Sequence, residues 1–240
     1  MSKLPLIRPV LVISLIISAF LLASCDISVA ENKKTNIDKP LIEPEIKSDR
    51  PKIIAFGDSL TAGFGLTENE SYPYLLQKKL DSFGYKYEVV NAGVSGDTSL
   101  GGLERVDWIL GQDNVAIVIL ELGANDLLRG VPVENMKKNL EAILEKVKAK
   151  NVKVLLCGML APDTMGRDYQ RDFIAVFPDL ANKHKVDFVP FLLDGVALNP
   201  KLNQPDGIHP NAEGTKIMTE NIFKGLKPIL DGNSRQDKKN

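Results

Sequence analysis

Apolar residues between positions 51 and about 230 fall into two kinds of pattern. Some are short and continuous: Ile53-Ile54-Ala55-Phe56, Ala116-Ile117-Val118-Ile119-Leu120 and Val154-Leu155-Leu156-Cys157. Runs this short with no polar face predict strands covered on both sides, as in a parallel sheet. Tyr87 to Val90, flanked by Gly84 and Asn91, and Asp187-Phe188-Val189 predict two more strands. Others are spaced. Met136, Leu140, Ile143, Leu144 and Val147 form the stripe of one helix face. Tyr72 to Phe83 predicts a second helix with Ser71 as N-cap, and Leu103 to Leu110 and Arg171 to Ala181 predict two more. A last helix follows Asn211 and carries Ile217, Ile222 and Leu226. Strand and helix alternate, which implies right-handed crossovers and a three-layer α/β/α domain around a five-stranded, mostly parallel, doubly wound sheet. Sites on such sheets form beyond the carboxyl ends of the strands.

The flanks follow other patterns. Residues 1–24 carry Lys3 and Arg8, then an apolar run from Leu11 to Leu22 broken only by Ser14 and Ser18. A membrane span needs about 20 apolar residues, so this run is short for one, and it predicts a cleaved export signal instead. It ends in Leu22-Ala23-Ser24-Cys25, which resembles the lipobox of bacterial lipoproteins, where the Cys is lipidated and becomes the first residue. A plain secretory signal cut nearby is the other possibility, and both send the chain out of the cytoplasm. Residues 25–50 are rich in Lys, Glu, Asn, Asp and Pro without a period and predict a disordered tether. Residues 231–240 predict a flexible tail.

Composition narrows the function. Of 240 residues, 44% are hydrophobic and 25% charged, with 30 Lys+Arg against 31 Asp+Glu. That balance excludes a basic protein built to hold nucleic acid. Two Cys exclude a disulfide framework, and a buried thiol is the expected state of Cys157. There are two His, His184 and His209, so any imidazole base is one of them. His184 lies in Lys183-His184-Lys185 and is expected to be solvated.

Polar, glycine-containing stretches follow the predicted strands: Gly57-Asp58-Ser59-Leu60, Asn91 to Thr98, and Gly123-Ala124-Asn125-Asp126. A fourth, Asp206-Gly207-Ile208-His209-Pro210, precedes the last helix. These stretches resemble the four signature blocks of the SGNH hydrolases, also called GDSL lipases/esterases, whose block residues match Ser59, Gly96, Asn125 and His209. The resemblance runs from Lys52 to about Leu230. It is most similar to the branch of bacterial exported thioesterase I/lysophospholipase and arylesterase enzymes, and it implies a flavodoxin-like α/β fold.

The residues themselves support the same chemistry. A serine hydroxyl needs an adjacent base, and the base needs an orienting group. Ser59 sits at a strand-to-helix turn, His209 is the candidate base, and Asp206, three residues earlier, can fix the imidazole tautomer. The backbone N–H groups of Ser59 and Gly96 and the Asn125 amide are candidate oxyanion donors. Each also has a plain structural role. Ser59 could cap a helix, Asp58 could do so instead, and Gly96, Asn125, Asp206 and Gly207 could be turn residues. Their joint occurrence as one complete set of roles favours the site.

Other site types lack their signatures. There is no Gly-x-Ser-x-Gly, Walker A, His-x-x-x-His or Cys-x-x-Cys, and Gly63-Phe64-Gly65 lacks the last glycine of a dinucleotide fingerprint. No metal and no organic cofactor is expected. Leu127, Leu128, Met165 and Ile208 are candidates for binding the acyl group of the substrate, with core packing as the other possibility. Arg129 and Arg167 could meet an anionic group or be solvated.

The expected protein is an exported, lipid-anchored serine esterase. It would hydrolyse small acyl esters and thioesters, and would meet the membrane only through its N-terminal anchor. An O-acetyl esterase of envelope polysaccharide and a catalytically silent surface lipoprotein are the alternatives.

Overall fold

The computed structural model describes residues 49–237. The expected export signal, Cys25 and the tether up to residue 48 lie outside the described residues. Five strands, β1 (Lys52–Gly57), β2 (Glu88–Gly93), β3 (Val115–Glu121), β4 (Lys153–Cys157) and β5 (Asp187–Val189), form one sheet in the order β2-β1-β3-β4-β5, every pair parallel. The helices are α1 (Ser59–Ala62), α2 (Tyr72–Ser82), α3 (Ser99–Leu110), α4 (Ala124–Leu128), α5 (Val133–Ala149), α6 (Arg167–His184) and α7 (Ala212–Leu230). The doubly wound α/β expectation holds. Among the described residues no helix is long and apolar enough to cross a membrane.

Apolar strands form the middle of the sheet because it is covered on both faces. Ile53, Ile54, Ala55 and Phe56 of β1 are fully buried, as are Val118 to Leu120 of β3 and Val154 to Cys157 of β4. Burial also pushes the Cys157 thiol well above its ordinary range, so it stays protonated and unreactive. The α5 stripe is buried as its spacing predicts, from Met136 through Val147. On α6, Phe173, Val176, Phe177, Leu180 and Ala181 do the same.

The differences have local causes. β2 runs on through Asn91-Ala92-Gly93, which pair with Ala55-Phe56-Gly57. It is an edge strand, only partly buried, so polar Asn91 does not end it. α3 begins at Ser99 rather than Leu103, because Thr98 accepts the Gly101 N–H as N-cap and carries the helix through two glycines. α6 begins at Arg167 rather than Arg171; its first turn carries one aromatic, Tyr169, among polar residues, too little apolar pattern to reveal it. Ser71 occupies the N-cap position of α2, but its hydroxyl donates to the Glu68 carbonyl instead of capping. His184 is buried, not solvated: its Nε2 lies 3.0 Å from Glu141 Oε1. Residues 231–237, expected to be part of a flexible tail, are docked across the amino ends of β4 and β5. There Ser234 donates to Asp187 (2.5 Å) and the Val154 N–H to Gln236 Oε1 (2.7 Å).

Strand order and register locate the site. β1 lies between β2 and β3, so the chain leaves it toward opposite edges of the sheet, and a crevice opens at such a switch point. Gly57, Gly93 and Glu121 are register partners. The loops that follow β1, β2 and β3 therefore start level with one another.

Candidate functional site

Ser59 is the first residue of α1, directly beyond β1. Asp58 caps the helix, its Oδ1 accepting the Leu60 N–H at 3.0 Å. The Ser59 N–H, like any in a first helical turn, has no intrahelical acceptor and can serve an anionic group. His209 comes from the far end of the domain, in a loop folded back on itself before α7. Asn203 bridges Pro210 in that loop, and the Gln204 N–H donates to the His209 carbonyl at 2.7 Å. This loop brings His209 Nε2 to 2.9 Å from Ser59 Oγ across 150 residues of sequence. The other ring nitrogen, Nδ1, is 2.7 Å from Asp206 Oδ2. Asp206 Oδ1 accepts the backbone N–H groups of Ile208 and His209, both at 3.0 Å. These bonds, the imidazole contact foremost, lower the Asp206 pKa to about 2, so the carboxylate is ionised under any ordinary condition. An ionised carboxylate on Nδ1 favours the tautomer with its proton there, leaving Nε2 to accept from the serine.

Asn125 lies on α4, beyond β3, and its amide donates to Asp58 Oδ2 at 3.0 Å. One N–H of the amide is used there; the other remains for a ligand. Gly96 sits in the loop after β2 with φ +84°, and its carbonyl accepts from Arg129 Nη2 at 2.7 Å. Arg129, a candidate contact for an anionic group, thus ties the Gly96 loop to the end of α4. The four expected blocks meet on one rim: Ser59, His209 and Asp206 through direct bonds, Asn125 through Asp58, and Gly96 through Arg129.

Beneath them lies a buried polar floor that sequence patterns did not reveal. Glu121 ends β3 with its side chain fully enclosed. Its Oε2 accepts the Asp58 N–H (3.1 Å) and the Thr61 hydroxyl (2.8 Å), while Oε1 has no partner among the described residues. A side chain at Gly57 would meet this carboxyl, since a Cβ there would lie 2.4 Å from Glu121 Oε2. Burial raises the Glu121 pKa well above the usual range, with the Asp58 charge adding to the effect, which favours its protonated form. Burial also raises Asp58, to about 6, against the pull of the Leu60 N–H, Glu121 and Asn125. Arg105 knits the same loops: it donates to Asp97 Oδ2 (2.7 Å), the Ala92 carbonyl (2.8 Å) and the Gly57 carbonyl (2.9 Å). Asp126 accepts from both the N–H and the hydroxyl of Ser99, joining α4 to α3. The one hint in the sequence was Glu121 itself, an acid closing an otherwise apolar strand.

The expected acyl-binding residues divide. Leu127 is buried and packs in the core, whereas Leu128 at the end of α4, Met165 in a short helical turn after β4 and Ile208 in the loop before α7 are exposed. A cavity of about 430 Å³ opens between the start of α3, the end of α4 and the first turns of α5, lined by Thr98, Leu100, Arg129, Val131 and Asn135 among others.

Known proteins resemble this chain in sequence and in fold. Residues 55–217 match the model of the GDSL-like Lipase/Acylhydrolase family. The chain is 40% identical to Esterase TesA of Pseudomonas aeruginosa over 178 residues, 74% of this chain and 89% of that protein. It is 38% identical to Thioesterase 1/protease 1/lysophospholipase L1 of Escherichia coli K12 over 182 residues, 76% of this chain and 86% of that one. The crystal structure of TesA superposes with a TM-score of 0.72, covering 74% of this chain and 99% of the other at 40% identity. With four blocks converging on one rim of this sheet, the chain belongs to the GDSL-like lipase/acylhydrolase family of ester hydrolases.

Proposed function

We propose that the protein hydrolyses carboxylic acyl esters and thioesters through Ser59, His209 and Asp206. Ser59 Oγ attacks the acyl carbonyl carbon while His209 Nε2 takes its proton, and Asp206 stabilises the imidazolium that forms. The tetrahedral oxyanion is held by the Ser59 and Gly96 N–H groups and the second N–H of Asn125. Collapse breaks the bond to the leaving alkoxide or thiolate, which takes the proton from His209. Water then attacks the acyl-enzyme, His209 accepts the water proton and returns it to Ser59, and the acid departs. The observation that carries this reading is the continuous chain of contacts from Ser59 Oγ to His209 Nε2 (2.9 Å) and from Nδ1 to the ionised Asp206 (2.7 Å).

Relatives named esterase and thioesterase/lysophospholipase support both oxygen and sulfur leaving groups. The exposed Leu128, Met165 and Ile208 support an acyl chain longer than acetyl. The test is hydrolysis of p-nitrophenyl esters and acyl thioesters graded by chain length. Ser59→Ala is expected to abolish turnover while leaving the circular dichroism spectrum unchanged. Retained turnover in that variant overturns the assignment, and activity confined to acetyl esters overturns the longer acyl chain. We further propose, from residues 1–25 alone, export and lipidation at Cys25. Metabolic labelling with radioactive palmitate should mark the wild-type chain and not Cys25→Ser, and equal labelling of the two would contradict it.

A further inference from the structure

The Ser59–His209 hydrogen bond cannot persist through the proposed reaction. Once Ser59 carries the acyl group, its oxygen has no proton to donate, and the imidazole must stay in place to activate water. Ser59, at the start of α1, and His209, in the loop before α7, are 150 residues apart. Something other than their own bond must then hold the two segments together.

Gln204 supplies that tie. Its side-chain amide donates to the Phe64 carbonyl at 2.7 Å, across 140 residues of sequence, and to the Pro210 carbonyl at 2.9 Å. Phe64 belongs to the turn that closes α1, where its N–H donates to the Ser59 carbonyl at 3.0 Å. Pro210 follows His209 directly. The amide therefore spans from the turn that carries Ser59 to the loop that carries His209, without touching either reacting side chain. Gly65 makes room for it: at φ +73°, a Cβ there would lie 2.2 Å from Gln204 Oε1. The Phe64 ring completes the junction, its centroid 4.7 Å from that of His209.

We propose that Gln204 is a positioning residue that holds the His209 loop against the Ser59 turn during deacylation, when the serine no longer binds the imidazole. This rests on the proposed roles of Ser59 and His209. Acylation has the Ser59–His209 bond as a second constraint on the imidazole; deacylation does not. Losing the tie should therefore slow the second half-reaction more than the first.

The experiment is steady-state and rapid-quench hydrolysis of p-nitrophenyl butyrate by wild type and Gln204→Met, which keeps length and loses both donors. Intact-mass spectrometry reads the acyl-enzyme. The expected result is a kcat about tenfold lower, KM lower in proportion, and kcat/KM within about twofold of wild type. A burst of p-nitrophenol and a butyryl adduct on Ser59 should accumulate with it. If Gln204→Met does not fold, Gly65→Ala breaks the tie from the other side, by driving a methyl onto Gln204 Oε1, and should shift the same partition. Equal losses in kcat and kcat/KM without an adduct, or kinetics equal to wild type, overturn the proposal. A failure of the Ser59 and His209 roles is separable from these outcomes: Ser59→Ala would then turn over butyrate, and no adduct would map to Ser59 in any variant.

Discussion

The floor and the rim of the site each hold a carboxyl close to Ser59, and their surroundings push the two in opposite directions. Asp206, on the rim, is partly exposed and accepts three hydrogen bonds, two from backbone N–H groups and one from an imidazole, and its pKa falls to about 2. Asp58, on the floor, accepts two bonds but is fully enclosed beside the buried Glu121, and its pKa rises to about 6. Solvation decides between them. A carboxylate at the surface keeps part of its hydration and gains partners, whereas one in the interior loses hydration that two neutral donors do not replace. The contrast separates the tasks proposed for them: the rim acid would supply a fixed negative charge to His209, and the floor acid would aim a neutral amide.

The sharpest way to break the contrast is to remove the rim charge and keep its shape. In Asp206→Asn, Oδ1 can still accept from Ile208 and His209, but an amide Nδ2 against the ring forces the wrong tautomer. The expected loss in kcat is on the order of 10⁴, by the yardstick of serine triads. Asn125→Ala removes a proposed oxyanion donor and should cost about 10²–10³ in kcat with little change in KM. Asp58→Asn leaves the cap on Leu60 but sets donor against donor at Asn125, so the amide loses its aim; a loss of about tenfold is expected. Glu121→Gln keeps an oxygen to accept from the Asp58 N–H and the Thr61 hydroxyl and mimics the protonated form that burial favours, so it should change kcat by less than about threefold.

Stability against pH should carry both signs. Asp58 binds its proton more tightly folded than unfolded. Its contribution is therefore complete below the ordinary value of 3.8 and is lost as pH rises through about 6. Asp206 is the reverse: its contribution is present above 3.8 and is lost as pH falls toward about 2. Urea unfolding from pH 2 to 8 is expected to give a maximum near pH 4. Asp58→Asn should flatten the decline between pH 4 and 6, and an unchanged profile in that variant would contradict the buried-acid account.

Legibility followed the range of the interactions. β1, β3, β4 and the α5 stripe were readable because burial on both faces, or on one stripe, writes itself into local sequence. The full extent of β2 was not, because an edge strand tolerates Asn91. Residues 231–237 look polar and are nonetheless docked, since Ser234 and Gln236 satisfy Asp187 and Val154 at the open ends of two strands. His184 misled for the same reason: its lysine neighbours in sequence say nothing of Glu141, 43 residues away. Ser59, Gly96, Asn125, Asp206 and His209 could be picked out as candidates because each stands in a short block at a strand exit or before a helix. The web of Glu121, Arg105 and Gln204 was not legible, nor was the bond from Asn125 to Asp58, because these contacts join Glu121 to Asp58 and Thr61, Arg105 to Gly57, Gln204 to Phe64 and Asn125 to Asp58 across 48 to 140 residues of sequence.

The central claim is that His209 makes the Ser59 hydroxyl nucleophilic. Its most direct test is labelling of the active protein with a fluorophosphonate at neutral pH, followed by peptide mass spectrometry and titration of remaining activity. One phosphonyl group per chain, on Ser59, appearing in step with loss of activity and absent from His209→Ala, is the predicted result. Full activity after exhaustive treatment, or inactivation with the label on another residue, would contradict it.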